Sequence, residues 1–324
     1  MTISDPIYGD IEIAEPVLLE LIDTPAMQRI RGVDQNVTAR IVDIPWGHFS
    51  RFDHCVGVMH IIKRLGGNLE EQIAGLLHDV SHTAFSHVMD FVFGSVLEQD
   101  FHEKHLERVV MQSTIPAILE KHGFETKRII NHHNYPLLEQ DIPGLCADRV
   151  DYALKTFYSN RMASLPQVLS LLENLQNFDH RIVFQDEKPA HEFASLFLQA
   201  DQNAWGGSTI ANAAYYYFAR IVKQAQEKGV ITLDDFFTTD QEFSDKLDAG
   251  SRAKIAALKK IKVQEVPADE DHDFFVKTKI RYVDPQILTK NGVIKLSEQN
   301  PAFKAELEQF LAKRKQGNYV KILK

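Results

Sequence analysis

Between Arg51 and Asp90 the chain reads RFDHCVGVMHIIKRLGGNLEEQIAGLLHDVSHTAFSHVMD, a stretch that holds His54, the adjacent pair His78-Asp79, His82 and His87. Imidazole and carboxylate supplied by separate helices make a divalent-metal site without cysteine. Histidine is a poor core filler, and an aspartate beside it needs a partner for its charge. A cluster of this kind therefore reads as ligand-binding rather than packing. Eleven of the 14 histidines lie at or before His133. Farther on, Asp148, Asp151, Tyr152 and Lys155 stand at i, i+3, i+4 and i+7, one face of a helix. That stripe either opposes the histidines or is a solvated face with its own ion pairing.

The elements that must position these groups are mostly helical. His54, Val58, Ile61, Ile62 and Leu65 recur at helical spacing, so His54 lies on a buried stripe. Gly66-Gly67 ends that helix and Asn68 caps the next, whose Ile73, Leu76 and Leu77 face the core and whose end delivers His78 and Asp79. Ser81 to Val92 reads as a continuing helix, with Phe85, Val88 and Met89 apolar and His82, His87 and Asp90 turned to a cleft. Asp100 to Gln112 is a further helix carrying His102, Glu103 and His105.

Before this stretch, DPIYGDIEI reads as a hairpin or arm, and DTPAMQRIRGVDQ as short helices bearing Arg29, Arg31 and Gln35, either a solvated face or a surface for phosphate or base. After it, Ser164 to Leu175 and Glu192 to Gln226 look helical, with the aromatic run Tyr215 to Phe218 read as core and lobe contact rather than as a base-stacking platform. VPADEDHD reads as a linker, VKTKIRYVD and GVIKLSE alternate like strands, Asn300 caps a helix that Gly317 stops, and NYVKIL is a closing strand. The expected fold is mainly α: a helical catalytic body over residues 1–228 and a small α+β lobe over 229–324.

Composition narrows the function classes. The formal charge of −9 over 324 residues argues against general or stable nucleic-acid binding, so an anionic ligand needs a local basic pocket. Two cysteines without CxxC spacing point to a reducing compartment. The absence of a leader pattern and of a long apolar run predicts a soluble, cytoplasmic protein without a membrane partner.

In order along the chain, DPIYGDIEI, DTPAMQRIRGVDQ, RFDHCVGV, LLHDVSHTAFSHVMD, FHEKHLE and ADRVDYALK resemble the HD-domain metal-dependent phosphohydrolases, closest to the deoxynucleoside triphosphate triphosphohydrolase branch. The resemblance covers about the first half of the chain. It implies His54, His78, Asp79 and Asp148 as metal ligands, and His82, His87, Asp90 and His102 as catalytic positions around the scissile phosphate. It further implies Gln35, Arg51, Asp151 and Tyr152 at the substrate, and Asp23, Gln28 and Arg31 at positions that bind a regulatory nucleotide in some relatives. A homo-oligomer, dimer or tetramer, is implied as well. The expected cofactor is one divalent transition metal, Mn, Fe, Ni, Co or Zn, with Mg accompanying a nucleotide substrate.

The departures are informative. Relatives that grip a triphosphate do so with an Arg- and His-rich helix, and here LFLQADQNAWGGSTIANA puts Asp201 near the expected arginine. A carboxylate facing a polyphosphate tail costs about 1 kcal/mol even in a water-like dielectric and more in a cleft. The chain also reads as shorter than typical members, so a reduced C-terminal lobe and no regulatory domain ahead of the body are expected, which argues against triphosphate specificity and activation by nucleotide.

The reaction expected is metal-assisted hydrolysis of a nucleotide, first a dNTP, with His82, His87 or His102 protonating the leaving oxygen, Asp90 orienting that imidazole, and Arg51 with Lys155 offsetting phosphate charge. The rival readings are a phosphomonoesterase or 5'-nucleotidase, a dinuclear-iron oxygenase using His102 and His132 as added ligands, and a nucleotide sensor without catalysis.

Overall fold

The computed structural model describes residues 1–323 and is mainly helical, with small sheets at its edges. The chain opens with the hairpin Thr2–Asp5 and Gly9–Glu12. Helices Arg51–Arg64, Leu69–Leu77 and Ala147–Ser159 then pack around one apolar core that runs from Ile7 to Phe310. A second core joins Val37 and Phe85 to Phe218, Phe243 and Leu258. Among the described residues no helix is long and apolar enough to cross a membrane.

The expected C-terminal α+β elements form and are stitched into the body. Gln286–Thr289 pairs parallel with Arg181–Phe184 and antiparallel with Gly292–Lys295, in a sheet completed by Leu175–Phe178. The first pair of this sheet is a hairpin whose turn residues Asp179 and His180 lie at φ 50° and 59°, the left-handed pair that a two-residue hairpin demands. Helix Pro301–Gln316, capped by Asn300 and stopped at Gly317 (φ 77°), seats Phe303, Leu307 and Phe310 in the first core. Strand Asn318–Leu323 lies between Lys262–Val266 and Phe274–Val276.

Three segments differ from the periodicity reading, and each for a tertiary reason. Ser81 to His87 is a run of turns, with helix only over Val88–Phe93. Phe85 and Ser86 take positive φ, because the Phe85 amide donates to the buried Asp240 carboxylate (2.7 Å) and Ser86 Oγ donates to the Asp34 carbonyl (2.6 Å). The helix expected over 192–226 is two, Glu187–Asn203 and Thr209–Glu227. In the break, a methyl on Gly206 would lie 2.7 Å from Thr278 Oγ1 and 3.0 Å from the Lys279 carbonyl, so the close approach of residues 278–279 requires glycine there. Third, residues 277–285 alternate like a strand yet join no sheet. Side chains satisfy their backbone instead: Arg281 N–H donates to Asp201 (3.4 Å) and the Lys279 carbonyl accepts from Arg314 (3.4 Å).

Candidate active site

Helix Arg51–Arg64 begins in a capping box, Ser50 Oγ accepting from Asp53 N–H while the Asp53 carboxylate accepts from Ser50 N–H. This fixes the turn that carries Arg51 and His54. Helix Ala147–Ser159 crosses it at Gly57, where any side chain would strike the Asp151 carboxylate and the Lys155 ammonium. The crossing brings Asp148 Oδ1 to 2.9 Å from His54 Nε2. His78, at the end of Leu69–Leu77, puts its Nε2 3.2 Å from His54 Nε2 and 3.6 Å from Asp148 Oδ1. Asp79 Oδ2 lies 3.6 Å from His54 Nε2 and 3.7 Å from His78 Nε2.

These separations suit a shared cation. Donors about 2.1 Å from a metal stand about 3.0 Å apart at a right angle and about 3.4 Å apart at the tetrahedral angle. The tautomers agree. His78 Nδ1 faces the Gly75 carbonyl (2.8 Å), which only accepts, so that nitrogen carries the proton and Nε2 presents a lone pair. His54 Nδ1 faces the Asp151 carboxylate (2.7 Å) with the same result. Two lone pairs and two carboxylates aimed at one point repel unless a cation or added protons join them. Accordingly, burial opposes charge on His54 and His78, but the neighbouring carboxylates raise both imidazoles. Burial likewise opposes charge on Asp79 and Asp148, and the surrounding cationic groups hold both below the usual carboxylate range. The chemistry of the donor set fits a divalent metal.

Beside these four residues, His82 stacks on His102 at 3.7 Å between ring centroids, and His87 meets their edges. Asp90 accepts from His87 Nδ1 (2.9 Å) and from the Phe101 amide (3.2 Å). His82 is 1% exposed with neither ring nitrogen hydrogen-bonded, a costly arrangement for a polar group that no ligand meets. Burial, then Arg51, pushes His82 and His87 well below the usual imidazole value, and burial takes His102 down to about 3. Asp90 is pushed up by burial to about 6.

A cavity of about 460 Å³ opens on these groups, a size suited to a nucleotide. Arg51, Gln35, Tyr152, His82, His87 and His102 line it with Asp79 and Asp148. Arg51 donates to Asp79 (2.5 Å) and Ser86 Oγ (3.0 Å) but leaves Nη2 without a partner, as Gln35 leaves Oε1. Other expected residues stand elsewhere. Asp151 and Lys155 lie behind His54 and away from the cavity, Asp151 accepting from His54 and Tyr8 and Lys155 contacting Asp5, Asp151 and the Asp53 carbonyl. Their helical face is shared with Asp148, but the tight crossing at Gly57 closes it to substrate. Gln28 and Arg31 bond each other (2.9 Å), Arg31 covers Phe52, and exposed Asp23 ends a neighbouring helix; all three lie outside the cavity. Asp201 does not face a phosphate tail: it is fully buried and paired with Arg314 at 2.6 Å.

Sequence reasoning missed part of the wall. Trp205, Asn212 and Tyr215 line the cavity, as do Arg149, paired with Glu139 at 2.9 Å, and Lys279 with Arg281. The run Tyr215 to Phe218 divides: Phe218 is core and Tyr216 stacks on Phe274 of the C-terminal lobe, as expected, but Tyr215 lines the cavity. The Trp205-Gly206-Gly207 interruption was the available signal for a helix break. Nothing local marks Lys279 and Arg281, whose cavity position depends on contacts with Asp201 and Arg314.

A mainly helical body on which His54, His78, Asp79 and Asp148 converge from three helix segments is the arrangement expected of HD-domain hydrolases. The HD domain family model matches residues 51–154. Uncharacterized protein YdhJ of Bacillus subtilis is 38% identical over 335 residues, covering 100% of both chains. Metal-dependent phosphohydrolase cns2 of Cordyceps militaris is 29% identical, covering 97% of this chain and 93% of its own. Deoxynucleoside triphosphate triphosphohydrolase SAMHD1 of Bos taurus is 27% identical over 54% of this chain and 32% of its own length. In fold, the chain is similar to a hypothetical protein from Aquifex aeolicus (TM-score 0.68, 20% identity, 93% and 92% covered) and a phosphohydrolase from Bacteroides thetaiotaomicron (0.63, 19%, 92% and 94%). The chain belongs to the HD-domain family and is a metal-dependent phosphohydrolase.

Proposed function

We propose that this phosphohydrolase acts on nucleotides, and foremost on deoxynucleoside triphosphates, releasing deoxynucleoside and triphosphate. The observation that carries the reading is the convergence of His54, His78, Asp79 and Asp148 beside a nucleotide-sized cavity whose His82, Gln35 and Arg51 keep unpartnered polar atoms. The partial similarity to a named dNTP triphosphohydrolase supports the choice of substrate. The four residues would hold one divalent cation, Mn, Fe, Ni, Co or Zn, and such an ion, when bound, supplies Lewis acidity toward a phosphate oxygen and lowers the pKa of water.

The rest of the work falls to the chain. Arg51 Nη2 meets phosphate charge, Gln35 and Tyr152 contact substrate, and Asp151 holds His54 with its lone pair toward the ion. Burial and Arg51 keep His82 neutral at rest; the negative charge of an arriving phosphate lets the imidazole take up a proton from solvent and pass it to the leaving oxygen as that P–O bond breaks, while the attacking water, forming the new P–O bond, releases its own proton to solvent. Asp90 anchors His87 for the same purpose.

The test is a screen for orthophosphate, pyrophosphate and triphosphate release over dNTPs, NTPs and NMPs with Mn, Fe, Co, Ni, Zn and Mg. Triphosphate release from dNTPs is expected, with Tyr152→Ala raising KM or lowering kcat/KM while metal is retained. Hydrolysis of monophosphates alone would reassign the protein as a nucleotidase. Thermal stabilisation by nucleotide without release would make it a sensor, and two irons per chain would favour the oxygenase.

A further inference from the structure

Four cationic and four anionic side chains line the cavity, Arg51, Arg149, Lys279 and Arg281 against Asp79, Glu103, Glu139 and Asp148. The balance is even before any ion binds and positive with a divalent cation present, in a chain whose overall charge is −9. The cations are not equivalent. Arg51 is paired with Asp79 and Arg149 with Glu139. Among the described residues, neither Lys279 nor Arg281 has a carboxylate within salt-bridge distance, and no side-chain hydrogen bond from either is formed. Both are half-buried, so leaving the cation unpartnered costs more than it would on the open surface. Burial, then the neighbouring Arg281, lowers the Lys279 ammonium. The pair lines the same cavity as His82, His87 and His102, and after burial and Arg51 its charge adds to what lowers His87.

The backbone that presents them is built for the purpose. Arg314 donates through Nε to Asp201 (2.6 Å) and through Nη2 to Thr278 Oγ1 (3.0 Å) and the Lys279 carbonyl (3.4 Å). Thr278 Oγ1 donates in turn to the Gly206 carbonyl (2.7 Å), and Asp201 accepts from the Arg281 amide. A buried ion pair thus clamps unpaired chain against the Gly206 break, and the two cations project from it while Lys277, on the same segment, is exposed and outside the cavity.

We propose that Lys279 and Arg281 are the specificity-determining residues for the phosphate tail, gripping the phosphates of a polyphosphate substrate beyond the one at the metal. The inference rests on the nucleotide phosphohydrolase reading for its biological substrate, but not for its chemistry. A guanidinium and an ammonium side by side match a chain of phosphates, whose charge is spread over several oxygens, better than a single phosphate already met by metal and Arg51. Asp201, rather than repelling the tail, holds the segment that receives it.

The probe is inorganic tripolyphosphate against orthophosphate, titrated calorimetrically into the metal-loaded full-length protein. Wild type is expected to bind tripolyphosphate at least about tenfold more tightly than orthophosphate. Lys279→Gln and Arg281→Gln should each weaken tripolyphosphate about tenfold and orthophosphate less than about twofold, Arg281→Lys should recover most of the loss, and Lys277→Gln should change neither. Equal affinity of wild type for the two anions, wild-type binding by both Gln variants, or an equal loss for both anions would overturn the proposal. Failure of the hydrolase reading looks different: no nucleotide would release phosphate, while the selective binding of tripolyphosphate and its loss in the Gln variants would stand.

Discussion

The two walls of the cavity are built on opposite rules. On the metal-facing side three of the four converging side chains are held from behind: His54 by Asp151, itself bonded by Tyr8, His78 by the Gly75 carbonyl, and Asp79 by Arg51, while Asp148 meets only the two histidines. On the far side the backbone is locked, by Asp201, Arg314 and Thr278, while the charged ends of Lys279 and Arg281 go unpartnered. Reaction geometry tolerates little error, so chemistry belongs on oriented groups; a flexible anion of variable length is better met by cations on long side chains.

The largest way to break the contrast is Asp79→Asn, which keeps the size of the residue but removes the carboxylate that pairs with Arg51 and is proposed to face the metal. Elemental analysis should find the metal lost, with phosphate release down at least about thousandfold; retention of both would take Asp79 out of the ligand set. Next is the far wall's clamp. Arg314→Met leaves the fully buried Asp201 carboxylate unpaired, and urea denaturation should register about 3–5 kcal/mol of destabilisation. Asp201→Arg would oppose two buried cations and should express poorly, where a tail-facing position would have tolerated it.

A pH measurement sharpens the metal wall's side. Asp240 accepts from the Phe85 and Asp34 amides, and burial raises its carboxyl to about 6. A raised folded-state value means that its stabilisation is complete below the unfolded value of about 3.9 and is lost as pH rises through about 6. Relative to Asp240→Asn, wild-type stability should therefore fall by up to about 3 kcal/mol between pH 4 and 6. A flat difference would mean that the carboxyl is not shifted. Smallest is Asp151→Asn, which weakens the control of the His54 tautomer. Chelator competition should show metal affinity down about 10- to 100-fold, whereas altered KM with unchanged metal affinity would put Asp151 at the substrate.

The helical body was readable because its evidence is local. His54 falls on the buried stripe of its own helix, Asn68 and Asn300 cap where their helices begin, and Gly317 ends one. That His54, His78, Asp79 and Asp148 converge was readable through the ordered motifs more than through spacing; their role as ligands is the proposal. What stayed hidden is set by partners far along the chain. The turn at Phe85 answers to Asp240, 155 residues away, and Arg281 reaches the cavity because Asp201, 80 residues before it, holds its amide. The Asp151 to Lys155 stripe was visible, but its closure depends on Gly57 in another helix. The same stretch of 277–285 that alternates like a strand finds no neighbouring strand, since periodicity records side-chain facing and not the hydrogen-bond partner.

Along the gene, the groups assigned to bond breaking are all encoded before codon 156, and the two cations of the far wall after codon 278. Recombination between those points can exchange one set while the other is inherited intact. A lineage can thus change which anion it accepts by substitutions in a few residues that carry no metal ligand, and pass through intermediates that still perform hydrolysis.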